Sequence, residues 1–201
     1  LGFWILKNLG STKFLFIWFA DYHSFLPTLL AKLYRIDSFL VIGGYDAAKL
    51  KEYNYGGHIK PFRSWVIRKS CEWATKVLPV SYFTNMELSR HIGKTSIEKR
   101  MVVHNGVDLD VFKYDASSSF PRSGIVCVSS ADTIDRLRVK GLDLFMAVAR
   151  KLPDEDFTII GVSGAAKTEL ASYGLLNVTL LGNIDRKALG DVFRKTKLIC
   201  Q

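Results

Sequence analysis

Apolar positions along the chain follow two alternating rhythms: short, nearly continuous runs, and longer stretches with apolar residues three and four apart. The first predicts strands buried in a parallel sheet and the second predicts helices that cover it. Phe14 to Ala20 is an aromatic-rich run of the first kind and predicts a buried strand, with its Phe and Trp side chains in the core. A helix is expected over Phe25 to Tyr34, then a strand over Ser38 to Ile42 that ends in Gly43-Gly44. A basic helix follows from about Arg63 to Thr75, and Lys76 to Val80 is a short strand in which Pro79 signals an edge or an irregular end. Thr84 and Glu87 have capping-box spacing and predict a helix start, with Gly93 placed to stop that helix. Met101 to Val103 then reads as a strand running into His104-Asn105-Gly106-Val107-Asp108.

Residues 113–123 interrupt the rhythm with serines and a proline, which makes them the linker candidate. The alternation resumes with strands over Gly124 to Ser129, Phe157 to Ile160, Val178 to Leu181 and from Leu198. Helices are expected over Leu142 to Leu152, near Ala165 to Tyr173, and over Arg186 to Arg194. Repeated strand–helix units predict an α/β protein with two parallel-sheet layers in succession. In such sheets ligands bind beyond the carboxyl ends of strands, so the loops after Ile42, Val103, Ser129, Ile160 and Leu181 are where chemistry is sought, with a cleft between the two domains as the expected place.

Composition narrows the classes. The chain has 201 residues, 48% of them apolar and 23% charged, which excludes disordered, collagenous and coiled-coil chains. Its formal net charge is +9, and residues 51–100 hold most of that, with ten basic against four acidic residues. Such a surface fits phosphates, anionic lipid or plain solvent. Cys71, Cys127 and Cys200 show no CxxC spacing, so neither a disulfide framework nor a zinc site is suggested, and a reducing cytosol fits best. The run at Phe14 to Ala20 is far short of the roughly 18 residues that suggest a membrane span.

The segment His104-Asn105-Gly106-Val107-Asp108, followed by Phe112, resembles the Asn-Gly-Val-Asp-x-x-x-Phe motif of glycosyltransferase family 4. The likeness extends over nearly the whole chain, through Gly43-Gly44-Tyr45-Asp46, Lys76 to Ser81, Lys140-Gly141-Leu142-Asp143, Phe157 to Gly161 and Leu180 to Asn183. It implies the GT-B fold, with two Rossmann-like parallel-sheet domains, both incomplete in this chain. Residues 1–112 would be the later part of the acceptor-side domain, 113–123 the hinge and 124–201 the first part of the nucleotide-sugar domain. The implied activity is hexosyltransferase-type transfer from a nucleotide diphosphate sugar to a saccharide or lipid-linked acceptor, as in polysaccharide biosynthesis. Anomeric configuration would be retained, and no cofactor or metal would be required. The implied location is cytoplasmic, with peripheral contact to an anionic membrane as an open reading and no nucleic acid as partner.

The site residues follow from the same resemblance. As the sugar–phosphate bond breaks, negative charge grows on the departing diphosphate, and fixed cations stabilise it more than they stabilise the bound donor. Lys140, expected where a helix begins, corresponds to the family's diphosphate-contacting lysine, and Arg136 and Arg138 are alternatives for the second cation. Gly43 stands where the family has a histidine that helps hold the transferred sugar. Gly44 would allow close backbone approach, and Asp46 either orients an acceptor hydroxyl or caps a helix. His23 either lines the cleft or is structural, and His104 reads as structural. Asn105 and Gly106 of the hinge motif, and Gly161 and Gly182 after their strands, complete the expected substrate contacts. The family's glutamate pair would fall beyond Gln201, so the chain is expected to be an internal portion of a longer transferase, inactive by itself. Two other classes stay in view: a basic nucleic-acid-binding α/β protein, which lacks a recognisable binding motif, and a Rossmann oxidoreductase, which lacks GxGxxG.

Overall fold

The computed structural model describes residues 7–93, 97–112 and 121–201. The chain divides into two compact units, Leu1–Gly106 and Val107–Gln201. Most of the expected linker, residues 113–120, lies outside the described residues.

The first unit is a three-stranded parallel sheet in the order β1 (Phe14–Trp18), β2 (Asp37–Ile42), β3 (Lys76–Pro79). Its helices are α1 (Tyr22–Tyr34), α2 (Pro61–Trp73) and α3 (Tyr82–Ser89). Leu15, Ile17, Leu40, Ile42 and Val77 point from one sheet face into a core shared with Ile67 and Cys71 of α2 and Leu88 of α3. The opposite face departs from expectation. Phe14, Phe16 and Trp18 are about half exposed, because β1 is the edge strand and alternation sends these three away from the helix-covered core. The strand expected over Met101 to Val103 is not formed: the amides of Met101 and Val103 donate to the carbonyls of Val77 and Pro79, but only the isolated bridge between Val77 and Arg100 accompanies them, and the segment runs beside β3 as irregular chain.

Caps fix the helix starts, and two of them correct the expected ones. Asp21 caps α1, accepting from the Tyr22 amide at 2.8 Å, and the reciprocal Ser24 hydroxyl accepts from the Asp21 amide at 3.2 Å. That starts α1 three residues before Phe25, its expected first residue. For α3 the cap is Ser81, which accepts from the Thr84 amide at 3.0 Å, while Glu87 turns to Arg90 at 2.7 Å. The Thr84–Glu87 spacing therefore marks an interior turn.

Between Asp46 and α2 the chain folds back on itself around His58. This imidazole is buried, stacks on His91 with centroids 4.3 Å apart, and shares a 2.8 Å hydrogen bond between Nδ1 and Ser64 Oγ. Burial, then the neighbouring His91 charge, pulls His58 down to about 4, with Lys49 and Arg68 acting the same way and the Asp46 carbonyl opposing. His91 is lowered as well, chiefly by burial.

The second unit is a four-stranded parallel sheet in the order β6 (Val178–Leu181), β5 (Phe157–Val162), β4 (Ser123–Ala131), β7 (Thr196–Cys200). Its helices are α4 (Ile134–Val139), α5 (Leu142–Lys151), α6 (Gly164–Ser172) and α7 (Arg186–Lys195). The core gathers Ile125, Cys127, Phe157 and Ile159 of the sheet against Leu137, Leu142, Phe145, Met146 and Leu170 of the helices. All three cysteines of the chain are free. The short helix α4 was absent from the sequence pattern, where a single buried residue, Leu137, leaves no periodicity to read. Among the described residues no helix is long and apolar enough to cross a membrane.

The neutral His58 makes the first unit sensitive to acid. The unfolded imidazole takes a proton near 6.5 but the folded one only near 4, so stability is complete above 6.5 and falls as pH drops through that window. Thermal unfolding followed from pH 7 to 4 should show this decline, and His58→Gln should flatten it; equal pH slopes in both proteins would show that the imidazole is not the titrating group.

Candidate functional site

In the first unit, the carboxyl ends of β1 and β2 meet around one carboxylate. Asp46 is buried, yet its two oxygens accept from the amides of Ala20 (3.0 Å), Gly43 (2.9 Å) and Gly44 (2.9 Å). Burial raises its pKa, and the backbone amides of Ala20, Gly44, Asp46 and Gly43 pull the other way. Asp46 caps no helix: its carboxylate is turned into the protein, away from solvent, and binds two loops together. A cavity of about 360 Å³ opens beside it, lined by Phe19, Asp21, His23, Gly43, Gly44, Tyr45 and Tyr55 among others. His23 lines this cavity, and its Nε2 donates to the Trp18 carbonyl at 3.1 Å, which is a structural role.

Two residues that sequence reasoning passed over shape the cavity. Phe19 has φ 68°, a left-handed backbone that is strained for an aromatic residue. A side chain added at Gly43 would run into the Phe19 ring, so the space expected for a histidine at position 43 is filled by the residue that follows β1 instead. Arg63 was read as part of a basic surface. It reaches back from α2 to pair with Asp21 at 3.2 Å, donates to the Tyr45 hydroxyl at 2.6 Å, and lies 5.0 Å over the Tyr22 ring. It thereby holds two lining residues in place. The only advance signal was its position at the start of a helix rich in other cations.

The hinge motif divides between two tasks. His104 Nδ1 donates to the Val80 carbonyl at 3.1 Å, which is a structural role, while Asn105 and Gly106 line a second, smaller cavity of about 170 Å³ with Phe16, Trp18 and Val80. Asp108 Oδ1 accepts from the amides of Asp110 and Val111 and so closes a turn. That turn lays Phe112 on Phe193 of α7 with ring centroids 5.8 Å apart, and lets the Val111 carbonyl approach Gly190, where a Cβ would sit 2.8 Å from it.

In the second unit the strand order turns at β4, with β5 and β6 on one side and β7 on the other. This is the switch point at which open parallel sheets form a crevice outside their carboxyl ends. The connection leaving β4 carries all three expected cations. Arg136 and Arg138 lie on α4, Arg136 paired with Asp132 at 3.4 Å. Lys140 is not at the first residue of a helix: it is the C-cap of α4, one residue before Gly141, the N-cap of α5. Its side chain is exposed, yet its charge is felt at Cys127 within β4, where it opposes the upward push of burial and of Cys200 on that thiol.

Gly161 and Gly164 have a packing role that the sequence did not reveal. Gly161, at φ 100°, lets the Ser129 carbonyl come to 3.0 Å of where a Cβ would stand, and its amide donates to Gly182 rather than facing solvent. Gly164 does the same for the Asp132 carbonyl at 2.9 Å. Gly182 contributes its carbonyl to this tie. Among the described residues no group of three or more His, Cys, Asp or Glu side chains could hold a metal ion.

This architecture is an α/β fold of the GT-B type, with two parallel sheets. The sequence matches no family model and no curated relative. Solved structures match by shape. Sucrose-phosphate synthase from Thermosynechococcus elongatus aligns over 98% of this chain and 52% of its own, with 14% identity and a TM-score of 0.73. S. aureus TarM, in complex with fondaparinux, alpha-GlcNAc-glycerol and UDP, covers 82% of this chain and 31% of its own at 16% identity and TM-score 0.57. UDP-GlcNAc 2-epimerase from Neisseria meningitidis, bound to UDP-GlcNAc, covers 97% of this chain and 55% of its own at 14% identity and TM-score 0.56. The chain thus spans about half the length of the first of these structures, or less of TarM.

The Phe19–Gly43 fit gives a direct check on the first cavity. Gly43→Ala should destabilise the protein by about 1–3 kcal/mol through overpacking. In a Phe19→Gly background the same change should cost less by about 1 kcal/mol or more, read from a chemical-denaturation double-mutant cycle. Additive effects would mean that the ring does not oppose a side chain at 43.

Proposed function

We propose that the chain serves in glycosyl transfer from a nucleotide diphosphate sugar, with the second unit holding the donor and the first unit meeting the acceptor. The observation that carries this reading is the placement of Arg136, Arg138 and Lys140 in the connection that leaves β4 at the switch point of a GT-B-type sheet. There a flexible ammonium next to the start of α5 can meet a diphosphate whose charge grows as the glycosidic bond breaks. Arg136 is partly neutralised by Asp132, which leaves Arg138 as the stronger second cation.

The comparisons support the donor class more than the acceptor. TarM with UDP and a 2-epimerase with UDP-GlcNAc share the fold but not the reaction, and a nucleotide carrying a diphosphate is the element common to both. In this reading anomeric configuration is retained, no metal is required, and the acceptor is a saccharide or a lipid-linked sugar. The cavity beside Asp46 would take the acceptor, with Phe19, Tyr45 and Tyr55 offering ring faces and His23 a polar edge.

Titration with UDP, GDP and ADP tests the donor site by calorimetry on the 201-residue chain. One of the three should bind, and Lys140→Ala should weaken it by about tenfold to a hundredfold, the worth of a charge-assisted hydrogen bond. Lys140→Gln should be nearly as weak and Lys140→Arg intermediate. Binding of a nucleoside diphosphate with the same affinity in Lys140→Ala would place the diphosphate elsewhere, and stabilisation by oligonucleotides alone would overturn the transferase reading.

A further inference from the structure

The outer faces of α1 and α2 carry a surface that neither cavity uses. On α1, Tyr22, Leu26, Leu29 and Leu33 recur at the spacing of one helix face, but this is the face opposite to the one that meets the core. Tyr22 and Leu26 are nearly half exposed and Leu33 is 65% exposed. The helix is therefore apolar on both sides, which a helix covering a sheet in water does not need. On α2, Phe62 is 65% exposed and Trp65 44% exposed. Ring contacts join the two helices into one apolar surface: Tyr22 stacks on Phe62 at 6.0 Å, Phe62 on Trp65 at 5.8 Å, and Phe25 meets Trp65 at 5.3 Å.

The unpaired charge around this surface is positive. Lys32 on α1, Lys60 before α2, and Arg68 and Lys69 on α2 fringe it, while the acids beside it are matched by cations, Glu72 by Lys69 at 2.8 Å and Asp21 by Arg63 at 3.2 Å. We propose that the outer face of α1 and α2 docks on the surface of an anionic lipid bilayer. Leu26, Leu29 and Leu33 would enter the boundary between headgroups and acyl chains, Phe62 and Trp65 would lie at headgroup depth, and Lys32, Lys60, Arg68 and Lys69 would meet lipid phosphates.

Charge selects this occupant over the others. Two copies meeting face to face would bring two cationic fringes together, which is unfavourable. A saccharide needs donors and acceptors beside an aromatic platform, and the leucine row supplies none. The exposed aromatic face of β1, with Phe14, Phe16 and Trp18, has no such fringe of cations and is not assigned to lipid. The inference stands apart from the donor site of the second unit.

Co-sedimentation of the chain with vesicles tests it. Vesicles of phosphatidylcholine and phosphatidylglycerol at 7:3 should bind the protein at low salt, pure phosphatidylcholine should bind it at least tenfold less, and high salt should release most of it. The exposed pair Leu26→Gln, Leu33→Gln should lower the partition coefficient about tenfold or more with an unchanged melting temperature. Arg68→Gln with Lys69→Gln should lower it about tenfold or more on anionic vesicles and leave neutral ones unaffected. Phe14→Ser with Phe16→Ser, on the sheet face, should bind like the parent. Equal binding to neutral and anionic vesicles, unchanged binding in both helix variants, or a dimer in sedimentation that the leucine substitutions dissolve would each overturn the proposal.

Discussion

A single buried carboxylate organises the carboxyl end of the sheet in the first unit. Asp46 collects amides from the ends of two neighbouring strands, one from Ala20 and two from Gly43 and Gly44, and so replaces the sheet pairing that stops there. Backbone donors at a strand end must find an acceptor, and water cannot reach a buried one. A carboxylate answers this better than a neutral side chain, because bonds to an ionised acceptor are about twice as strong. The loops it joins then stand apart far enough to leave the cavity. Phe19 keeps its left-handed backbone in this frame because both flanks are fixed, by β1 before it and the Ala20 bond after it.

The second unit solves a related problem with glycines. Loops at the ends of parallel strands must come close to cover the sheet edge, yet must leave the switch point open. Gly161 and Gly164 let the Ser129 and Asp132 carbonyls approach to distances that a side chain would forbid. This draws the β4 and β5 loops together on the side away from β7. The connection from Arg136 to Lys140 then leaves β4 with its cations exposed beside the switch point, where an anion can reach them, and that placement is the basis of the donor reading.

Much of this was legible in the chain. The strand–helix alternation predicted both parallel sheets, and apart from the strand expected over Met101 to Val103, which is irregular chain, the strand positions agree within a few residues because parallel strands leave short apolar runs. What escaped has physical causes. Helix α4 is too short for periodicity. The cap of α3 was displaced by one turn because Ser81 and Thr84 both fit the pattern, and only tertiary context chooses between them. Phe14, Phe16 and Trp18 were placed in the core because hydropathy reports what a residue tolerates, whereas exposure depends on which strand lies at the edge. The cavity residues show the same limit: Asp46 was visible as a polar residue after a strand, but its three amide partners, the ring of Phe19 over Gly43 and the reach of Arg63 to Tyr45 are set by contacts distant in sequence. Lys140 was found from its motif, and its place between two helices was not.

The account turns on Asp46 acting as a tie rather than as a ligand-facing group. Amide hydrogen exchange measured by NMR on the parent and on Asp46→Ala tests this most directly. Loss of protection at Ala20, Gly43 and Gly44, with the interior of β2 still protected and stability lower by about 1–3 kcal/mol, is the result the account predicts. Unchanged protection at those three amides would contradict it.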